Sequence, residues 1–289
     1  MIKSLGILLG IVLGALVPQL AAALPALPWA IGVLLLISFC GLPAGAARPT
    51  RLHVVLIAAA WALGAVACAA LWPYDRDLAL GALVTGAAPT ATAAPVVIAA
   101  LRGDAGFAAI AVLGSNLIAC IAFPALLWLL QGPDAPGGPG ELLARVAPVV
   151  LAPWLLSLAL RRWRPAWAAA VAAQMGRSFL LWLAGLAIIS ASAAEHLRHA
   201  GLVAVLPHAG AAVVLCAASF LLGRRLGGGR MEPGQSLGQK NTSLATWAAL
   251  ACAGPPAALV PVSYILAHNL WNAAQLARGR PPGAGPDAE

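Results

Sequence analysis

Charge is what this chain has least of. Only 9% of its 289 residues are Asp, Glu, Lys or Arg, against about a quarter in an ordinary soluble domain. That scarcity excludes a soluble globule of this size, which needs a polar surface to cover its core. Carboxylates are absent from the middle of every long apolar run: Asp75, Asp77, Asp104, Asp134, Glu141, Glu195 and Glu232 fall at the ends of such runs or between them. The five cysteines (Cys40, Cys68, Cys120, Cys216, Cys252) show no C-x-x-C spacing and no nearby histidine, so they read as small packing residues rather than metal ligands or a disulfide frame. Alternation of period two is missing as well, which removes a β-barrel. No segment between apolar runs is long enough for a soluble domain, so a scaffold or sensor role has little to act through.

What remains is hydrophobic. With 62% apolar residues and a mean hydropathy of +0.90, the chain reads as an all-α integral membrane protein, because sequence this apolar must satisfy its backbone within each segment. Pro, Gly and charge divide it into about ten spans near the ~20 residues that cross a bilayer: 4–23, 27–46, 53–73, 79–101, 105–131, 142–161, 178–195, 203–223, 233–254 and 256–277. The basic, apolar, small-residue start imitates a signal peptide, but it is read here as a retained first span because the loop charges then sort. Thirteen basic residues (Lys3, Arg48, Arg51, Arg102, Arg161, Arg162, Arg164, Arg177, Arg224, Arg225, Arg230, Arg278, Arg280) fall on one side and three (Arg76, Arg145, Arg198) on the other. The positive-inside rule makes the first side cytoplasmic, with both termini there, in a plasma or inner membrane. The net charge of +8 is thereby explained by topology and not by nucleic acid.

Two spans differ from the rest. The fourth contains "TGAAPTATAAPVV" and the ninth "EPGQSLGQKNTS". Proline removes a donor and glycine loosens a helix, so each is expected to unwind within the membrane. They are the fourth of the first five spans and the fourth of the last five. An odd number of spans per half places two such halves in opposite orientation, and matched Gly/Pro interruptions point to a transporter's binding site. Ordinary proline kinks would give the same residues without the polar side chains gathered around them. The expected organisation is a first repeat over 1–135, an inverted second repeat over 136–278 and a disordered cytoplasmic tail over 279–289.

Lys240 is the strongest functional signal. If the ninth span enters near Met231, Lys240 lies about 13 Å along the helix at 1.5 Å per residue, too deep for an ammonium to snorkel comfortably. A charge there must face a cavity or a partner. Without a carboxylate, its partners would be polar groups, the negative end of a half-helix, or an anionic substrate. Desolvation disfavours an ammonium, so the same residue could load and release a proton. If the span starts later, Lys240 is instead an edge residue. Around it stand Gln239, Asn241 and Ser236, with Thr90 and Thr92 on the other broken span; Ser115, Asn116, His208, His268, Asn269 and Asn272 are further intramembrane polar groups. A lone His or Asn in a membrane helix more often bonds a neighbouring carbonyl. Ser236 and Lys240, one turn apart on an intact helix, would also permit a serine/lysine hydrolase. The glycine-rich run from Gly223 to Arg230 lacks the G-x-x-x-x-G-K-[ST] order and a preceding strand, so nucleotide binding is rejected.

Taken together, "APTATAAPVVIAALRGD" (Ala88 to Asp104), "LGQKNTSLATWAALA" (Leu237 to Ala251), "HNLWN" (His268 to Asn272) and "LPWAIGVLLLISFCGL" in span two resemble the bile acid:sodium symporter family. The resemblance implies two inverted five-helix repeats, helices 4 and 9 broken and crossing, and a core and a panel domain, the panel being spans one, two, six and seven. It implies a secondary transporter of organic anions rather than an enzyme, with no organic cofactor, working by alternating access. It also implies where sodium ligands would be, and there the chain departs. The family's Ser-Asn pair falls on Ala94 and Pro95, two hydroxyl positions on Ala108 and Val112, and a Glu and a Gln on Ser236 and Lys240. A hard cation needs several oxygens. The expectation is therefore a sodium-independent carrier of a small organic anion, the Lys240 ammonium replacing the cation, either coupled to protons or working by uniport or exchange; the alternative is a classical sodium-coupled organic anion symporter. The site residues expected are Lys240, Asn241, Gln239, Ser236, Thr90, Thr92, Ser115, Asn116, His268 and Asn269. Trp61, Trp72, Trp154, Trp163, Trp167 and Trp182 are expected as interfacial anchors or packing.

Overall fold

The computed structural model describes residues 9–10, 12–42, 48–131, 139–200 and 205–278. The tail expected over 279–289 and the start of the first span lie outside the described residues. A 3-10 stretch, Pro18–Ala26, leads into α1 (Leu27–Cys40); α2 (Arg51–Leu71), α3 (Arg76–Ala87), α4 (Ala94–Ala100), α5 (Ala105–Gln131), α6 (Pro139–Trp163), α7 (Pro165–Ala172), α8 (Met175–Ala200), α9 (Val205–Leu226), α10 (Met231–Gly238), α11 (Thr242–Ala253) and α12 (Pro255–Arg278) follow. Among the described residues there is no strand beyond a single isolated bridge between Thr90 and Lys240. Among the described residues, five helical stretches are long and apolar enough to cross a membrane: Pro18–Cys40, Arg51–Leu71, Ala105–Phe123, Met175–Ser192 and Val205–Leu226. Large apolar side chains such as Trp29, Val54, Leu180 and Leu270 are exposed on their outer faces, as a lipid solvent requires.

Helix ends follow local chemistry. Thr50 caps α2, its backbone N–H donating to His53 Nδ1 at 3.0 Å; Asp75 accepts from Leu78 N at 2.9 Å at the start of α3; Asp104 accepts from Gly106 N and Phe107 N at 2.8 and 3.1 Å at the start of α5. Helix α11 gives way to α12 at Gly254, whose φ of +92° and ψ of 177° only glycine adopts without strain, and the following prolines start α12.

The helices form two groups. In one, α2 packs on α3, α9 on α10, α11 on α12, α5 on α4 and α10, and α12 lies across α3 and α9. In the other, α1 packs on α6, α7 and α8. Leu27, Ile31, Leu35 and Phe39 recur every fourth residue of α1 and stack on Val149, Val150 and Ile189, meeting Val112, Leu244 and Trp247 of the first group. The first group interlocks through small residues: Ala87, Ala88, Ala119, Ala245, Ala248, Ala249, Ala257 and Ala258 are buried together with Leu80, Val84 and Phe123. Small side chains let backbones approach, which is how membrane helices gain packing without a hydrophobic drive. The short α7, inside what the sequence suggested was a loop, buries only Ala168.

Candidate functional site at the crossing of two broken helices

The break between α3 and α4 has a local cause. Pro89 disfavours helical geometry at the residue before it, and Ala88 accordingly leaves the helix at φ −53° and ψ 140°. Pro95 then sits in the first turn of α4, where its missing N–H costs nothing. On the other side α10 ends at Gly238, Gln239 is extended at φ −81° and ψ 100°, and Asn241 caps α11 by accepting from Leu244 N at 3.2 Å. Each break frees backbone groups that no water in a bilayer core can satisfy.

The two breaks satisfy each other. Asn241 N donates to Pro89 O at 2.7 Å and Ala91 N to Gln239 O at 2.8 Å, an antiparallel patch centred on Thr90 and Lys240. The side chains of that central pair then reach across. Lys240 Nζ donates to Gly86 O at 2.7 Å, and Thr90 Oγ1 donates to Ser236 O at 2.7 Å. Gly86 stands four positions before Thr90, and Ser236 four before Lys240. Each break residue thus caps the carbonyl end of the opposite half-helix, the negative pole of its dipole.

Helix α5 and helix α12 supply the rest. Ser115 Oγ accepts from Thr90 N at 2.9 Å and donates to Ala111 O at 2.6 Å. Asn116 Nδ2 donates to Thr90 O and Val112 O at 3.1 and 2.8 Å, while its Oδ1 accepts from Asn241 Nδ2 at 3.1 Å. Tyr264 Oη donates to Gly238 O at 2.8 Å, and a chain of amides runs from Gln239 to Gln235 to Gln275. Asn116→Ala is expected to cost about 2 kcal/mol in thermal unfolding, more than the ~0.6 kcal/mol typical of one interhelical bond, because it removes three at once.

Lys240 is 2% exposed, and among the described residues no carboxylate pairs with it. It lines a cavity of about 300 Å³ between the crossing and the α1/α8 face. Of the residues anticipated as a site, Thr92, Gln239, Lys240, Asn241, His268 and Asn269 line this cavity. Thr90, Ser236, Ser115 and Asn116 do not; they lie behind it and hold the breaks together. Opposite the polar wall stand Ile31, Leu34, Leu35, Met175, Phe179 and Trp182. Trp182, expected as an anchor or packing residue, is thus a cavity wall. His268 Nδ1 and Asn272 Oδ1 are buried without a hydrogen-bond partner among the described residues, and both residues line the cavity.

A serine/lysine dyad does not form. The helix is broken between Ser236 and Lys240, Lys240 Nζ donates to Gly86 O, and Ser236 Oγ has no partner among the described residues. Of the six positions that resemblance assigned to sodium ligands, Ala94, Pro95, Ala108 and Val112 carry no side-chain oxygen: Ala94 and Ala108 are buried against Ile98 with Met231, and Val112 belongs to the α1 cluster. They do not fit a sodium ion, which needs oxygen donors. Tyr264, Gln235 and Gln275 escaped sequence reading, since nothing local distinguishes a packed polar residue from one that bonds a remote break.

No curated protein matches the chain. The model of the sodium bile acid symporter family matches residues 50–200, from the cap of α2 to the end of α8, and so includes the first broken helix. With that match over half the chain and helices fit to cross a bilayer, the protein belongs to the sodium bile acid symporter family and is a multi-pass membrane transporter.

Proposed function

We propose that this protein carries a small organic anion, a carboxylate or sulfonate, by alternating access and without sodium, Lys240 standing where the family's cation would bind. The observation that carries this reading is the buried ammonium of Lys240 at the wall of a 300 Å³ cavity, in a site whose cation ligands are replaced by Ala94, Ala108 and Val112. An anion bound in the cavity would compensate the charge that the protein leaves unpaired. Thr92, Gln239, Asn241, His268 and Asn269 supply donors and acceptors around it. The helix α11, capped by Asn241, adds its positive N-terminal end.

The architecture proposed with it is two inverted five-helix repeats, ten spans in all, with both termini on the cytoplasmic side of the plasma or inner membrane. A shift of 150 positions carries Gly86 to Ser236, Thr90 to Lys240, Leu83 to Pro233 and Ala87 to Leu237. The first two pairs are the reciprocal caps. The last two are the residues on which Gly64 of α2 and Gly223 of α9 pack. Transport then consists of the 1–2–6–7 panel moving against the crossing, with the cavity between them. Energy would come from protons through Lys240 or from exchange of one anion for another.

The test is a thermal-shift screen of the purified protein in detergent against a panel of organic anions, each in sodium and in potassium. Ligand binding raises the unfolding temperature whatever the coupling ion. Equal stabilisation in both salts is expected. A shift that appears only in sodium would return the protein to sodium coupling and remove the role given to Lys240.

A further inference from the structure

Lys240 has three N–H donors and, among the described residues, one hydrogen-bond acceptor, Gly86 O. The remaining donors need partners, since a charge left incompletely bonded in a low-dielectric interior is strongly unfavourable. Besides the large cavity, Lys240 lines a second, narrow one of about 20 Å³ between α2 and the crossing. Its polar lining is His53, Thr90, Ser115, Ser236 and Lys240. The hydroxyls of Thr90 and Ser115 are engaged. Ser236 Oγ, on a residue 3% exposed, has no hydrogen-bond partner among the described residues. A site able to hold one water needs about 10–15 Å³ and two or more polar groups; this crevice has both.

Its far end is His53. That ring is fixed: Nδ1 accepts from Thr50 N at 3.0 Å, so Nε2 carries the hydrogen and donates to Phe107 O, also at 3.0 Å. Thr50 is exposed, and the Arg230 guanidinium lies 5.5 Å over the Phe107 ring. His53 is therefore a wall of the crevice next to the arginine-bearing surface.

We propose that this crevice binds a water bridging Lys240 Nζ and Ser236 Oγ, and that Lys240 exchanges its proton through that water and past His53, on a route separate from the anion cavity. The inference rests on Lys240 being the charged centre of the transport site. In the step, one N–H bond of the ammonium breaks and leaves its electron pair on nitrogen. The proton bonds to the water oxygen, which passes a proton outward to the next water. Besides His53, the ionisable groups near Lys240 among the described residues are the Cys216 thiol of α9, the Tyr264 hydroxyl of α12, which is committed to Gly238 O, and His268, which lines the large cavity with Lys240. None of these three lies among the crevice residues. Because the large cavity is not used, a bound anion would not block the proton.

The chain has two lysines, Lys3 and Lys240, so protein labelled with ζ-¹⁵N lysine gives two side-chain signals. In phosphatidylcholine liposomes, solid-state NMR measures exchange between water protons and each ammonium, with Lys3 as internal reference. Ala60→Phe, which fills the crevice from α2, is expected to slow Lys240 exchange about tenfold. Ser236→Ala, which removes a water ligand with little change in volume, is expected to slow it severalfold, and Ser178→Trp, which narrows the anion cavity, to leave it nearly unchanged. Unaltered exchange in both Ala60→Phe and Ser236→Ala, equal slowing in Ser178→Trp, or no Lys240 exchange in the unmodified protein would overturn the route. Transported solute takes no part in this measurement, so its failure is distinct from failure of the anion screen.

Discussion

Replacing Lys240 with methionine is expected to abolish stabilisation by the transported anion while leaving the ligand-free protein as stable as before, or more so. Two opposing effects decide the second half of that result. Among the described residues the ammonium makes one hydrogen bond, to Gly86 O, and a bond from a charged donor contributes about 1.5–3 kcal/mol. Against it stands the cost of holding a charge 2% exposed with, among the described residues, no carboxylate beside it, which after relaxation is several kcal/mol. Methionine fills a similar volume and carries no charge, so the variant loses the hydrogen bond but escapes the greater desolvation penalty. The first half follows from linkage: at a hundredfold excess over Kd a ligand stabilises by about 2.7 kcal/mol, and that increment goes when the counter-charge goes. Thermal unfolding in detergent, with and without the anion that the screen identifies, reads both halves. An anion shift that survives in Lys240→Met would remove the residue from the binding site. A large loss of stability in the ligand-free variant would make Lys240 a structural cap and nothing more.

The sequence located the breaks and left their mutual bonding hidden. Pro89, Pro95 and Gly238 are local signals, and the structure interrupts the helices at those places for the local reasons that proline and glycine supply. Lys240 was conspicuous because a charge inside apolar sequence is costly wherever the chain folds. Its bond to Gly86 O was not, because it joins residues whose proximity depends on how two distant halves pack. The same holds for Ser115 and Asn116. As residues they offered only hydroxyl and amide, and tertiary packing made them the partners of Thr90 and Asn241. Trp182 illustrates the limit from the other side: an indole on a membrane helix reads as an anchor, and only the arrangement of α8 beside α1 turns it toward the cavity.

Gly64→Leu and Gly223→Leu are expected to damage the protein to the same extent, each by at least about 3 kcal/mol, at the upper end of what overpacking costs. A Cβ on Gly64 would stand 2.6 Å from Leu83 O and 2.9 Å from Ala87 N. On Gly223 it would collide with Pro233 O and stand 2.9 Å from Leu237 Cβ. These obstacles are backbone or the root of a side chain, so no rotamer change relieves them, and the helices must separate. Separation of α2 from α3, or of α9 from α10, shifts one half of the crossing relative to the other and pulls Thr90 and Lys240 from the carbonyls they cap. Gly176→Ala and Gly210→Ala, where an added Cβ meets nothing within 4 Å, serve as controls and are expected to change stability little. The measurement is the yield of monodisperse protein and its unfolding temperature for the four variants. Matched losses at Gly64 and Gly223 would follow from one packing rule used twice in opposite orientation. A severe loss at one with tolerance at the other would mean that the two halves hold their broken helices by different means, and the 150-residue correspondence would then be a coincidence of numbering.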